Sequence, residues 1–327
     1  MKNLISFLII SLLSVSCVEH KISIIVEPDG SFKYSHNASG DKQDLQDLDY
    51  PLSKNLDWNI ENNFDEESDN YFYNFGKLFE KNSIFPSTFY LGDSINEDIL
   101  LKHNVEVNYS NSFIYEHYNL NINFSGRDAS KKYPLLIEFL LDQENPPANW
   151  VHDGLYYIFN QAVLESNFGF NIENIIKTAI SEWLENIKQS YDNTSLQENF
   201  ENVKNEGINI IQSNLIDDSI DNFKEIINKY EQEARITIDL SDDIIEFYTV
   251  LPGFVHETNA DSIFNDTLLW RFSGIDFADD NYEIVAKSSI YHKSRFHWTI
   301  TLFMVLVAFV TLYIISSKVP DPSKSSK

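Results

Sequence analysis

Few residues of this sequence stand where chemistry would need them. His256-Glu257 opens an H-E-x-x-H pattern, but residue 260 is alanine. A zinc protease needs its second imidazole one turn on, on the same helix face, so no metal site is expected there. His152-Asp153 has the residue types of an acid/base pair. Two adjacent residues ahead of a helix read better as an N-terminal cap with a surface histidine. The sequence contains no G-x-S-x-G elbow, no G-x-x-x-x-G-K-[ST] loop and no G-x-G-x-x-G turn. Carboxylates are dense between Asp41 and Asp69, yet never in the D-x-[DN]-x-[DN]-G order of a calcium loop. Cys17 is the sole cysteine, so no internal disulfide forms. No catalytic residue, metal ligand or cofactor site is assigned. The balance is against an enzyme, with an extracytoplasmic hydrolase as the third-ranked reading.

The elements that would position any site begin with the ends of the chain. Residues 298–316 form a run without charge, proline or glycine. As a helix that run spans roughly 28 Å, close to the hydrocarbon thickness of a bilayer. Phe296, Trp298 and Tyr313 are the aromatic types that settle at headgroup level, so a transmembrane helix is expected over 297–316. At the other end, Met1-Lys2 and the apolar 4–15 read as a signal peptide over 1–16. The small Ser16 before Cys17 resembles the lipobox of bacterial lipoproteins, with Ser14 where that family carries Leu, Val or Ile. The resemblance implies cleavage before Cys17 and acylation of its thiol. An ectodomain over 17–296 is then expected outside the cytoplasm, on the cytoplasmic membrane of a bacterium. It would be held by one span and by a lipid at Cys17, leaving 317–327 as a short cytoplasmic tail.

Composition limits what the ectodomain meets. The chain has 24 basic and 50 acidic residues; Lys2, Lys318, Lys324, Lys327 and Asp321 lie outside 18–296, which leaves 20 and 49, a net charge of −29. Such a surface repels nucleic acid, so none is expected as a partner. The whole chain has 17 tyrosines and 24 phenylalanines, most of them in the ectodomain, which can bury one large core or two modest ones.

Periodicity orders the parts. Residues 21–27 and 31–36 alternate around the Pro28-Asp29-Gly30 turn and read as a hairpin. The polar stretch 37–70 reads as an exposed connection, and 71–81, with Phe72, Phe75 and Phe79, as a short helix. Val105, Val107 and Tyr109, then Leu120, Ile122 and Phe124, keep a strand's period of two. From about 150 to 233 the period becomes helical: Leu155, Ile158, Phe159, Ala162 and Val163 share one face, as do Ile172, Ile175, Ile176, Ala179, Ile180, Trp183, Leu184 and Ile187. Two further helices are expected around 200–211 and 220–230. Strands return at 236–240, 244–251, 267–272 and 282–288. Strands, then helices, then strands predict an α+β ectodomain with a largely antiparallel sheet and a helical middle, plus one C-terminal transmembrane helix.

The order of the terminal parts resembles a known family. A lipobox-like Cys17 precedes a strand with a P-D-G turn. L-P-G-F-V (251–255), E-T-N-A-D (257–261), T-L-L-W-R-F (267–272) and Y-E-I-V-A-K-S-S (282–289) then lead into one span. Over residues 17–36 and 236–316 this looks like the LppM-type membrane-anchored lipoproteins. The resemblance implies an α+β ectodomain associated with lipid binding in the cell envelope, and does not extend to 150–233. The expectation is a non-catalytic lipid-binding or envelope-organising protein, its partner a membrane lipid. Trp183, Phe254, Val255 and Trp270 are candidates for lining an apolar groove. A protein-interaction scaffold with an envelope protein as partner is the alternative.

Overall fold

The computed structural model describes residues 18–42, 45, 52–53, 57–65, 70–86, 101–142, 144–214, 220–241 and 243–318. The expected signal peptide, Cys17 and the end of the tail from 319 lie outside the described residues.

Alternation builds the β body. In β1 (Glu19–Val26) every second residue, His20 to Val26, is buried, and β2 (Phe32–Gly40) buries Phe32, Tyr34, His36 and Ala38 in the same way. Between them Gly30 takes φ +87°, and a Cβ there would sit 2.7 Å from the Tyr109 side chain, so only glycine fits this turn. The other strands are β3 (Asn59–Asp65), β4 (Asn70–Phe79), β5 (His103–Asn111), β6 (Tyr115–Phe124), β7 (Ile244–Val250), β8 (Phe254–Thr258), β9 (Ser262–Phe264), β10 (Thr267–Ser273) and β11 (Tyr282–Tyr291). They form a seven-stranded sheet in the order β3-β4-β2-β1-β7-β10-β9 and a four-stranded sheet in the order β5-β6-β11-β8. Among the described residues only β1–β7 pair in parallel; the other pairings are antiparallel, as expected. The inner faces of both sheets share one core, with Ile22, Tyr34, Phe247 and Trp270 from one and Leu120, Ile122, Phe124 and Ile284 from the other.

Between β6 and β7 the chain leaves the sheets for a helical lobe. It comprises α1 (Ala129–Lys132), α2 (Pro134–Leu141), α3 (Trp150–Glu165), α4 (Phe170–Ser190), α5 (Asn193–Glu198), α6 (Phe200–Asn214) and α7 (Ile220–Asp239). Its core is separate and includes Leu155, Phe159, Ile176, Trp183, Ile211 and Phe223. The helical middle is thus longer than the periodicity indicated, because the short α1 and α2 carry too few turns to show a stripe. Last comes α8 (Lys293–Lys318). Within Lys293–Ile315 an 18-residue window has a mean hydropathy of 2.4 and none of it is buried, so this is a candidate membrane span and not a core helix.

Three expectations need correction. Residues 71–79 lie in strand β4, not in a helix, and 80–81 follow it. Phe75 and Phe79 lie four apart, which places them on one face of a strand as well as of a helix, and pairing with β2 and β3 decides the matter. The connection 37–70 contains the end of β2 and the edge strand β3, whose exposed polar residues hid its pairing. Residues 236–240 are not a strand. Ile236 and Leu240 continue the buried stripe of α7, and packing in the helix overrides the β-branched run.

Both sheets run from one end of the body to the other in the same sense. At one end the β1–β2 turn meets the second sheet, where the Tyr118 hydroxyl donates to the Pro28 carbonyl at 2.8 Å. At the other, Phe272 stacks on Tyr282 at 4.2 Å. Strand β11 covers that distance in ten residues, about 30 Å at the strand rise. Its last residue, Tyr291, is separated from α8 by His292 alone. The lobe attaches at the opposite end. There the Ala129 amide donates to the Ala278 carbonyl, and that of Gly274 to Leu240.

Candidate functional site

The best-formed apolar recess lies in the lobe. Trp150, Val151, Gly154, Leu155 and Ile158 follow helical spacing on one face of α3, and Glu231, Ala234, Arg235 and Ile238 do so on α7. These two faces, closed by Leu136 of α2 and Phe200 of α6, bound a pocket of about 230 Å³. The charges at its margin are compensated. Glu231 accepts from Lys204 Nζ at 2.7 Å and from Arg235 at 2.7 and 2.9 Å, and the Arg235 guanidinium lies over the Phe200 ring. Burial alone would lower the Lys204 pKa, but its bonds to Glu201 and Glu231 outweigh this and raise it, so the ammonium stays charged. The recess can hold an uncharged aliphatic group, and none of its lining residues is a nucleophile.

Two glycines of the lobe show why the recess is more than a packing void. A Cβ on Gly207 would come within 2.6 Å of Phe159 and Trp183, so close helix packing explains that residue. A Cβ on Gly154 would meet nothing within 4 Å. Glycine inside a helix costs about 1 kcal/mol relative to alanine, and at Gly154 no neighbour requires it. The sequence signal was present, a glycine inside the apolar stripe of 150–158, but a stripe by itself does not separate core from pocket.

The residues with chemical promise do not assemble into a catalytic site. His152 is buried on α3, not at the surface, and Asp153 does not cap its own helix. Instead, Asp153 accepts from the Leu135 amide at 2.9 Å in the first turn of α2. Burial lowers the His152 pKa and raises that of Asp153, and consecutive helix positions point apart. His256 and Glu257 lie on strand β8, both exposed, with Glu257 paired to Lys287 at 2.7 Å. A buried polar cluster unmarked by any motif sits where β1 begins. His20 Nδ1 lies 3.0 Å from His36 Nε2, and His20 Nε2 lies 3.2 Å from Asp243, which also accepts from the Val18 amide at 3.3 Å. The cluster ties β1, β2 and the start of β7 together.

The four groove candidates occupy separate places. Trp183 is buried in the lobe core, 4.8 Å from Phe159. Trp270 is fully buried in the body, where its indole donates to Asn259 at 2.9 Å. Asn259 also accepts from the Val285 amide and so clamps one sheet to the other, which gives E-T-N-A-D a structural role. Phe254 and Val255 adjoin on β8, Phe254 exposed and Val255 half-buried. None of the four lines the lobe recess. Phe296, Trp298 and Tyr313 are exposed along α8, as membrane-facing aromatics would be.

A second, wider hollow of about 600 Å³ is lined by Lys42, Leu45, Leu52, Asn62, Tyr71, Phe72 and Tyr73.

No known protein family matches the chain, and no curated protein matches it. Among solved structures, it is similar to the folded domain of the Mycobacterium tuberculosis LppM protein, determined by NMR. That alignment covers 86% of this chain and 95% of the other at 8% identity and a TM-score of 0.29, a loose likeness.

Proposed function

We propose that this chain is a membrane-anchored, non-catalytic binding protein of the cell envelope whose helical lobe takes the aliphatic chain of an envelope lipid. The observation that carries the reading is the apolar recess of about 230 Å³ with Gly154 in its wall. An apolar cavity of about 150 Å³ already accepts a benzene-sized ligand, so the recess has room for part of a chain and not for a whole lipid. The candidate span keeps the lobe in the neighbourhood of such ligands, and the body holds it about a strand length from the bilayer. The lobe would therefore engage a chain lifted from the membrane or carried by another molecule.

A scaffold reading has its own support in Leu141, Tyr156, Leu164 and Ile175, which the lobe leaves exposed. One titration separates the two. A fluorescent fatty acid is added to the full chain in nanodiscs and to its Gly154→Leu variant, whose side chain fills the recess. Saturable uptake by the native chain that the variant loses supports lipid binding. Equal uptake by both, or none by either, removes it and leaves the scaffold.

A further inference from the structure

Several exposed apolar residues of the β body gather at one end; Ile84, 94% exposed beyond β4, is tied to neither end by strand pairing. Ile25, Leu78, Phe113, Phe254 and Phe264 are all at least 41% exposed. Each belongs to the end of the body where α8 departs. The register shows this directly: Phe254 pairs with Ser289 near the end of β11, and Leu78 with Lys33 beside the β1–β2 turn. Ile25 pairs with Val250, Val250 with Thr267 of β10, and Thr267 with Phe264 of β9. Phe64, on the edge strand β3, is the counterexample. It pairs with Tyr71, opposite Gly40, at the lobe end.

The hairpin tip between β5 and β6 is fixed to the start of α8. The His292 amide donates to the Ile114 carbonyl at 2.9 Å, and Glu116 takes His292 at 2.8 Å and Arg295 at 3.6 Å. Tyr115 packs on Tyr291 at 5.2 Å, and Tyr291 on Phe296 at 5.9 Å. Beyond these contacts, Phe113 faces Trp298, Thr299 and Leu302 across an apolar notch of about 480 Å³. With Trp298 at headgroup level, Leu302 lies about 6 Å deeper along the helix. A side chain level with that turn stands at the edge of the hydrocarbon.

We infer that this end of the β body is a second membrane contact: the Phe113 tip enters the bilayer interface beside α8, with Phe264 and Phe254 seated at the same surface. A net charge of −29 over 18–296 opposes adsorption to anionic lipid, so the contact rests on apolar insertion. Seated in this way, the body stands upright and the lobe is its outermost part. Val18, at the start of β1, then also lies at the outer end. The inference does not depend on the lobe recess.

Benzoylphenylalanine placed singly at positions 113, 264, 302 and 64 of the full chain, in phosphatidylcholine nanodiscs, tests it by mass spectrometry of light-induced adducts. Lipid adducts at 113 and 264 as well as at 302 in the span, with none at 64, are expected. Adducts at 302 without those at 113 and 264 would overturn the contact, and equal yields at 64 would overturn the upright orientation. Cross-links from 113 or 264 to a second copy of the chain would assign the surface to self-association instead.

Discussion

The β body and the helical lobe bury comparable sets of large side chains by opposite means. The body is closed by partners distant in sequence: β1 lies beside β7 more than two hundred residues on, and Asn259 joins the two sheets. Its interior also holds the buried histidines His20, His36 and His103, and burial lowers the pKa of the last two. The lobe comes from one stretch of sequence, 129–239, whose helices pack on one another around an apolar core, α3 against α7 as well as against its neighbour α4, with charge pairs at the margin. The difference teaches a division of labour. The body fixes orientation and tolerates little change, whereas the lobe can open or fill locally. The lobe is also where an unexplained glycine faces an empty recess.

The largest expected effect tests whether the cores are separate. Trp183→Ala removes a buried indole packed on Phe159 and beside Gly207, at a cost of about 3–5 kcal/mol. Hydrogen exchange should quicken throughout α3, α4 and α6 while β1 and β7 stay protected. Equal loosening of β1 and β7 would mean that body and lobe unfold as one unit.

Acid should act in the opposite direction. Burial pushes His103 down to about 4 from 6.5, and burial holds His36 well below 6.5, with the charges of His20 and His103 adding to it. Between those values the unfolded chain binds protons that the folded chain refuses. Stability is therefore full above about pH 6.5 and falls as pH drops from there towards 4, with His103 alone contributing about 3 kcal/mol. Exchange followed from pH 7 to 4.5, corrected for intrinsic rates, should show β2 and β5 loosening before α3. Earlier loosening of α3 would reverse the assignment of acid sensitivity to the body.

The seam between the two parts offers a smaller effect. Arg127 donates to Thr237 Oγ1 at 2.9 Å and to the Glu233 carbonyl at 3.1 Å, and Lys132 pairs with Glu233 at 2.7 Å. Arg127→Ala removes both bonds, but Thr237 Oγ1 still donates to the Glu233 carbonyl at 2.8 Å, so the expected cost is about 1 kcal/mol. Because the residue touches both parts, the expected sign is lost coupling. Thermal unfolding should broaden or split, and a single sharp transition at lower temperature would argue for one cooperative unit.

What the sequence revealed follows the same division. Helical stripes in α3, α4, α6 and α7 were legible because neighbouring turns carry the signal and the lobe packs locally. Paired strands such as β5 and β6 were legible through alternation. The body's other strands depended on partners far away. Nothing near Tyr71 indicates that β2 and β3 flank it, and nothing near Ile236 shows that α7 continues. Trp183 and Trp270 drew attention by size, which marks core as readily as groove. Gly154 and Phe113 are informative only by what surrounds them: open space in one case, the first turns of α8 in the other. Cysteine and histidine motifs pointed to chemistry, while the buried His20, His36 and Asp243 meet across sequence separations that no spacing rule covers.

The smallest effect is the sharpest on the lobe itself. Gly154→Ala places a methyl where nothing lies within 4 Å, so no clash opposes the gain in helix propensity. The lobe should become more stable by about 1 kcal/mol, seen as slower exchange in α3, with β1 and β7 unchanged. If the glycine preserves room for a ligand, the same methyl should weaken fatty-acid uptake without abolishing it. Destabilisation would mean that the space is not open in solution, and the recess would lose its standing as a site. Stabilisation with unchanged uptake would leave the pocket intact while removing the reason offered for its glycine. Only gain in stability together with loss in uptake joins the two, because a cost carried by the folded helix is then offset by what the recess admits.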